Sequence, residues 1–170
     1  MQSDLLSLDE AINKIKSSFQ KISNEDIFLK DALGRCLAKP IISKVDNPKY
    51  DVSSMDGYAV NHKDFTKVKD SIIKKFKIVG ESSAGFPFSK KINAQETVRI
   101  FTGAKLPKGS NTVIIQEDVK ILNNGNFIII EGTPKKNQFV RKKGLDFKKN
   151  DILFKEGIIL KSRHLGSIAM

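Results

Sequence analysis

Residues 53–60, "SSMDGYAV", carry more polar chemistry than a turn into a strand requires. The stretch places Ser54 and Asp56 ahead of Gly57, and an apolar segment follows at once. A glycine lets the backbone approach a ligand closely, while the hydroxyl and the carboxylate supply hydrogen-bonding groups beside it. Asp before Gly is also an ordinary turn, because the carboxylate accepts backbone N–H bonds there. On these residues alone both interpretations stay open.

A second polar turn follows a predicted strand that ends at Phe101. Thr102 and Gly103 offer a hydroxyl and exposed backbone amides, and such a loop could hold an anion. By itself a Thr-Gly pair is more often a plain connection between two strands. The turn is therefore a candidate site only in combination with other residues.

The segment "FVRKKGLDFKKND", residues 139–151, supplies a third group of candidates. The planar fork of Arg141 could bind phosphate or another oxyanion. Asp146 could bind a hydrated magnesium ion or orient the site. Ordinary turn and surface roles remain the simpler interpretation of the neighbouring lysines.

The elements that position these residues change character along the chain. Ser7 and Glu10 have the spacing of a capping box, and apolar residues at helical spacing follow, so the sequence predicts an amphipathic first helix. From about residue 46 to 140, short strands separated by turn residues indicate a β-rich unit. The last residues, "SRHLGSIAM", begin another helix.

One strand pairing is predicted directly. Asn124-Gly125 lies between "VIIQEDVKIL" and "FIIIEG", and Asn-Gly readily forms a two-residue hairpin turn. "TVRIF" and "KKFKIVG" alternate apolar and polar residues, which predicts strands with one buried face each.

Composition limits the classes of protein. The 170 residues carry a net charge of +11, from 30 basic and 19 acidic residues, which would attract anions including nucleic acid. The single Cys36, with only two histidines, argues against a disulfide framework and a structural zinc site. No apolar run reaches the roughly 20 residues of a membrane span, and the polar start lacks a secretory layout, so we expect a cytoplasmic protein without membrane contact.

Taken together and in this order, the segments resemble the molybdopterin molybdenumtransferase family, the MoeA and gephyrin E-domain proteins. The stretches that carry the resemblance include "DALGRCLAKPI", "PKYDVSSMDGYAV", "GESSAG" and "VRIFTGAKLPKGSNTVIIQED". "SSMDGYAV" combined with "RIFTGAKLP" is specific, whereas either one alone is not. The resemblance extends over almost the whole chain.

The resemblance implies a β-rich α+β fold in which residues 46–144 (domain II) are inserted into a small mixed α/β domain I, residues 1–45 and 145–170. It implies the last step of molybdenum cofactor assembly, in which molybdate enters adenylylated molybdopterin and AMP is released with the help of Mg²⁺. It also implies an elongated homodimer, whose active cleft lies between domain II and the third domain of the partner chain. Molybdopterin adenylyltransferase and maturation factors of molybdoenzymes are further expected partners.

Carried over residue by residue, the resemblance implies catalytic roles for Asp56, Thr102 and Asp146. It implies substrate binding by a second set: Ser54, Gly57, Gly103 and Arg141. The metal ligands stay undetermined, with Asp56 and Asp146 as the candidates.

The chain departs from the family pattern in three places. The usual Gly-Glu-Asp is Gly144-Leu145-Asp146, the Gly of the next turn is Asn150, and the usual Gly-Ala-Asp/Asn is Gly109-Ser110-Asn111. We find no match to the family's molybdopterin-binding third domain or to its fourth domain. We therefore expect a fragment that is inactive alone and belongs to a longer enzyme.

Two interpretations from other classes remain open. The parent could be a non-catalytic, gephyrin-like scaffold or assembly module, which the sequence downstream of Met170 would decide. The +11 charge could instead mark a basic nucleic-acid-binding module. Against that module, the chain has no recognition-helix pattern, and we expect no specific nucleic-acid partner.

Overall fold

The computed structural model describes residues 6–20, 22–65 and 73–170 of the chain. They fall into two compact units, one formed by Met1–Lys39 with Lys155–Met170 and the other by Pro40–Phe154. The domain boundaries at residues 46 and 144, and the naming of the units as domains I and II, stay predictions. Among the described residues, no helix has the length and apolar character that crossing a bilayer requires.

The unit that contains both chain ends begins with helix α1, Leu8–Ser18. Its start is the predicted capping box: the Ser7 hydroxyl accepts a hydrogen bond from the Glu10 N–H at 3.3 Å, and the Ser7 N–H donates to the Glu10 carboxylate at 2.8 Å. Leu8 and Ile15 on this helix are exposed. The helix is thus confirmed, and local capping defines where it starts.

The same unit ends in helix α2, Ser162–Ala169. Before it, the two ends of the chain pair: the Gly34 N–H donates to the Leu160 carbonyl at 2.9 Å, and Cys36 forms an antiparallel bridge with Ile159. Gly34 has a φ of 77°, a conformation that glycine adopts without strain. A 3₁₀ turn at Leu29–Asp31 precedes this glycine.

The second unit is built on strands. Two antiparallel pairs of short strands are β1 with β10, Ile41–Ile42 and Ile152–Phe154, and β2 with β9, Val52–Ser53 and Val140–Arg141. A six-stranded sheet contains the other strands: β3 Gly57–Val60, β4 Ile73–Ser82, β5 Glu96–Ile100, β6 Thr112–Ile115, β7 Val119–Leu122 and β8 Phe127–Glu131. Its order is β6-β3-β5-β4-β8-β7, and β4 and β5 are its parallel pair.

Apolar clusters pack on both faces of this sheet at its central strands. One apolar cluster contains Tyr58, Val60, Phe65, Phe76, Ile114, Ile128 and Ile130. The other contains Ala59, Ile100, Ala104, Leu106 and Val113. Successive residues of β3 point to opposite faces, so its side chains enter both clusters in turn.

The prediction of one buried face for "TVRIF" is therefore incomplete. Val98 and Ile100 are buried as expected, but Thr97 on the other face is buried as well. Its hydroxyl donates to the Ala59 carbonyl at 2.9 Å, so the polar group stays hydrogen-bonded away from water.

The predicted hairpin is right in its pairing and wrong in its turn. β7 and β8 pair antiparallel with Leu122 opposite Phe127, which leaves a four-residue loop of 123–126 in place of a two-residue turn. Asn123 and Asn124 both have positive φ, at 50° and 52°. Asparagine tolerates a positive φ, so the loop includes Asn123 and Asn126 beside Asn124-Gly125.

The strand predicted before that turn is also interrupted. β6 ends at Ile115, and a 3₁₀ turn at Gln116–Asp118 precedes β7. β6 and β7 lie at opposite edges of the six-stranded sheet. One apolar run in the sequence thus serves two strands that never pair.

Candidate active site

Sheet pairing brings the two polar turns together. In the antiparallel pair of β3 and β5, Gly57 lies opposite Ile100. The residue before β3, Asp56, and the residue two positions beyond β5, Thr102, must therefore meet at the same end of the sheet. Asp56 Oδ1 accepts two hydrogen bonds from Thr102, one from the backbone N–H at 2.8 Å and one from the hydroxyl at 2.7 Å.

These contacts change the acidity of Asp56. The backbone N–H of Thr102 lowers the pKa of the Asp56 carboxyl below its ordinary value, and the Thr102 hydroxyl adds to that effect. The positive charge of Arg99 acts in the same direction, while partial burial opposes it. The site therefore presents an ionised carboxylate at neutral pH.

Backbone hydrogen bonds fix the loop that carries Thr102. The Gly103 N–H donates to the Ser53 carbonyl at 2.8 Å, and the Ser53 N–H donates to the Ala104 carbonyl at 2.9 Å. Gly103 has a φ of 80° and is exposed. Ser54, which is half-buried, donates its N–H to the Phe139 carbonyl at 3.0 Å. Ser54 and Gly103 thus lie in the same framework, and substrate binding by either remains a prediction.

Gly57 has a clear structural role. A Cβ added at this position would lie 1.9 Å from the Ile114 carbonyl oxygen on the neighbouring strand β6. Two strand backbones pass too close here for any side chain. Close strand packing accounts for the glycine, and its predicted contact with substrate stays a prediction.

The other two predicted residues bind each other. Arg141 Nη2 donates to both carboxylate oxygens of Asp146, at 2.7 and 2.9 Å. The Asn47 amide also donates to Asp146 Oδ2, at 3.2 Å. The structure brings Arg141 and Asp146 together as an ion pair that neutralises both charges, and their roles toward substrate and metal remain predictions.

The lysines after Arg141 are paired as well. Lys142 Nζ lies 2.8 Å from the Asp51 carboxylate, and Lys143 Nζ lies 3.1 Å from that of Asp46. Burial acts to raise the pKa of Asp51, but hydrogen bonds from Lys142 and from the Lys143 backbone lower it overall. The basic run thus binds this unit's own acids, as the simpler interpretation of these lysines expected.

Strand β2 connects the two pairs of predicted residues. On one side, Ser53 bonds the Gly103–Ala104 backbone beside Thr102. On the other side, Val52 pairs with Arg141 in the ladder of β2 and β9. Asp56 and Thr102 therefore lie on one side of this short strand, and Arg141 and Asp146 lie on the other. Asp56 and Asp146 are 90 positions apart in sequence.

Arg99 and Gln116 belong to this site and were not singled out from sequence. The Arg99 guanidinium lies 5.0 Å from the centre of the Tyr58 ring and 5.2 Å from that of Phe101, and it donates to the Gln116 side chain. The Gln116 N–H donates to the Asp56 carbonyl at 3.1 Å. The sequence did contain one signal for Arg99, since a charged residue stands there between Val98 and Ile100 of an apolar strand.

Metal binding has little support from clustered ligands. Within residues 6–20, 22–65 and 73–170, no three His, Cys, Asp or Glu side chains come together. Both oxygens of Asp146 already accept hydrogen bonds, whereas the bonds from Thr102 go to one oxygen of Asp56. Of the two candidates, Asp56 is the better placed to bind a cation.

A surface cavity of about 520 Å³ lies elsewhere on the same unit. Its lining combines apolar strand residues, among them Ile114 and Ile130, with the acids Glu117 and Glu131. Asp56, Thr102 and Arg141 do not contribute to that lining. The cavity is thus distinct from the predicted residues.

The chain matches one family description over nearly its whole length. Residues 6–170 match "MoeA N-terminal region (domain I and II)". A protein of Haemophilus influenzae named molybdopterin molybdenumtransferase is 36% identical over 154 residues, which are 90% of this chain and 37% of that protein. A protein of the same name from a Nostoc species is 40% identical over 112 residues, covering 66% of this chain and 25% of that protein.

Solved structures agree with these relatives. A molybdopterin biosynthesis MoeA protein from Pyrococcus horikoshii superimposes with a TM-score of 0.84 at 30% identity, over 98% of this chain and 42% of that one. A second structure from strain OT3 of this organism gives 0.87 at 27% identity, over 98% and 44% of the two chains. The chain therefore spans well under half the length of these proteins.

Proposed function

This chain belongs to the MoeA N-terminal family, and on that premise we propose that it is part of a molybdopterin molybdenumtransferase. The complete protein would insert molybdate into the dithiolene of adenylylated molybdopterin and release AMP. The observation that carries the proposal is the double hydrogen bond from Thr102 to Asp56, which joins two family motifs 46 residues apart.

The chemistry of the pair suits a substrate with several negative charges. Asp56 is held ionised in a fixed position, and one of its oxygens accepts both Thr102 bonds. An ionised, oriented carboxylate can hold a cation that offsets the charge of phosphate and molybdate groups. In this proposal Asp56 and Thr102 form one wall of a cleft whose other wall comes from the third domain of a partner chain.

Mg²⁺ fits this arrangement through Asp56. Magnesium in proteins is commonly held by one or two carboxylates together with waters and substrate phosphates, so a single open oxygen is sufficient. The ion would supply charge neutralisation at the phosphates. Asp146 fits less well, because Arg141 occupies both of its oxygens.

Assembly and location follow from the same proposal. We infer a homodimer for the complete protein, action in the cytoplasm, and supply of substrate by a molybdopterin adenylyltransferase. A molar mass from light scattering equal to twice that of one complete chain would support the homodimer. A monomer with full transferase activity would contradict the shared cleft.

The proposed reaction is tested with a complete protein that contains this chain. Given adenylylated molybdopterin, molybdate and Mg²⁺, it should yield active cofactor and AMP. A well-folded dimer that releases no AMP and forms no cofactor would rule out the transferase.

Asp56→Asn tests the site within this assay. The variant should lower insertion far more than it lowers the melting temperature, because the amide oxygen can still accept from Thr102. Asp51→Asn is the matched control, since Asp51 is also hydrogen-bonded and belongs to the same unit but binds Lys142. Equal losses of activity and melting temperature in Asp56→Asn would make Asp56 a structural turn residue.

A further inference from the structure

The side chain of Arg99 is held in a fixed place at the end of the sheet beside Asp56. Its guanidinium lies over the rings of Tyr58 and Phe101, at 5.0 and 5.2 Å from their centres, and donates a hydrogen bond to Gln116. A guanidinium over aromatic faces gains cation–π attraction and packs along the rings. Such a contact fixes the direction of a charge that would otherwise move freely on a long side chain.

Among the described residues Arg99 forms no ion pair, unlike two of the other three arginines. Arg35 is paired with Glu25, and Arg141 with Asp146. Among the described residues, the hydrogen bond that Arg99 donates goes to a neutral amide. A guanidinium has five N–H donors, so most of its hydrogen-bonding capacity remains for a ligand.

Three acidic residues lie near Arg99 or near its hydrogen-bond partner Gln116. Asp56 precedes β3, and its Oδ1 is occupied by Thr102. Glu81 lies opposite Arg99 on β4, and Glu117 accepts a hydrogen bond from the Gln116 amide at 3.1 Å. None of them forms an ion pair with Arg99 among the described residues.

We propose that Arg99 is the oxyanion-binding residue of the site, in place of Arg141. The inference rests on the proposed function and deepens it: the ligand is a tetrahedral oxyanion, the chemistry shared by molybdate and the phosphates of the nucleotide. The planar fork offers paired donors to such a group, while Asp56 beside it holds the cation. Arg141 is the weaker candidate, because its Nη2 already donates to both carboxylate oxygens of Asp146.

NMR titration of the 170-residue chain tests the proposal without turnover. The chain contains four arginines, so the side-chain Nε–H resonances can be followed individually. We expect addition of molybdate to move the Arg99 resonance saturably and to leave that of Arg141 in place. Inorganic phosphate in a parallel titration distinguishes the two sources of oxyanion, and sodium chloride at equal ionic strength controls for screening.

Variants complete the test. Arg99→Met should weaken oxyanion binding by about tenfold, the usual size of one hydrogen-bonded charge contact. Lys75→Met is the matched control, because Lys75 also lies over an aromatic ring, Phe127 at 4.1 Å, and its loss removes the same charge. Lys75→Met should bind oxyanion as the unmodified chain does.

Three outcomes would overturn the proposal: no saturable shift with either oxyanion, a shift of Arg141 without Arg99, or unchanged binding in Arg99→Met. If Arg99→Met does not fold, the shift in the unmodified chain still decides. The proposed transferase activity is tested independently, since AMP release by the complete protein is measured in another assay.

Discussion

Among single residues, Asp56 affects the stability of the folded chain through the ionisation of its carboxyl group. The Thr102 backbone N–H and hydroxyl favour its ionised form, so the pKa of Asp56 is lower in the folded chain than in the unfolded one. A carboxyl of this kind stabilises the folded state above its unfolded pKa of about 3.9. That contribution is lost as the pH falls through the lower, folded pKa.

Asp56→Asn should therefore change the dependence of stability on pH. The free energy of unfolding of the unmodified chain should exceed that of the variant most clearly above about pH 5, and the difference should shrink as the pH falls below the unfolded pKa of about 3.9. Urea unfolding at a series of pH values measures it. Thr102→Val, which removes the hydroxyl donor and keeps the backbone donor, should reduce the difference in part. Parallel curves for the unmodified chain and Asp56→Asn would contradict the assignment.

The fold should not tolerate a side chain at Gly57. Gly57→Ala should lower the free energy of unfolding by about 3 kcal/mol or more, because the added Cβ would lie 1.9 Å from the backbone oxygen of Ile114. Chemical denaturation measures the loss.

Gly103→Ala is the matched control for Gly57. It has a φ of 80°, and an added Cβ meets nothing within 4 Å. Its substitution should therefore cost only about 1 kcal/mol for the left-handed backbone. Equal losses in the two variants would show that close strand packing is not what requires Gly57.

At the scale of elements, helix α2 offers a substitution that should stabilise. Gly166 lies inside Ser162–Ala169, is exposed, and has no atom within 4 Å of an added Cβ. Gly166→Ala should raise the free energy of unfolding by about 0.5–1 kcal/mol, the difference in helix propensity between the two residues. Thermal unfolding measures the change, and a lower melting temperature would mean that α2 is not helical in solution.

Local signals in the sequence predicted elements well where the cause was local. The Ser7–Glu10 capping box fixes the start of α1. The loop of 123–126 was mispredicted because Asn123 takes a positive φ, which Asn-Gly chemistry alone did not require. The break at Gln116–Asp118 depends on which strands β6 and β7 join, and no local signal encodes that choice.

Departures from the family pattern have local explanations. Asn150, where the family usually has glycine, adopts a φ of 75° and donates its N–H to the Ser43 carbonyl at 2.8 Å. Asparagine tolerates that conformation better than most residues, so the turn is kept. Leu145 is exposed, and the structure gives it no contact that explains its presence.

The site itself was only partly accessible from sequence. The motif residues Asp56 and Thr102 could be recognised, but their contact exists because β3 and β5 pair with Gly57 opposite Ile100. Arg141 and Asp146 were assigned separate ligands, whereas the fold pairs them with each other. Arg99 was overlooked because its importance comes from Tyr58 and Gln116, which are distant in sequence.

For the molecule as a whole, the net charge of +11 determines how strongly the chain attracts polyanions. Part of the basic surface already binds the chain's own acids, as Lys142 does with Asp51 and Lys143 with Asp46. The remaining charge attracts anions without distinguishing among them.

Binding to duplex DNA should therefore be weak and insensitive to sequence. We expect affinities no tighter than about 1 μM at physiological salt, falling steeply as salt increases, because released counterions supply the driving force. Fluorescence anisotropy with two duplexes of equal length and unrelated sequence measures both properties, and dextran sulfate should compete as well as DNA does. Sequence-selective binding that persists at physiological salt would instead make nucleic acid a specific partner.

Arg99→Met should separate specific oxyanion binding from general attraction of polyanions. The variant should weaken molybdate binding while leaving DNA binding almost unchanged, since it removes one of 30 basic residues.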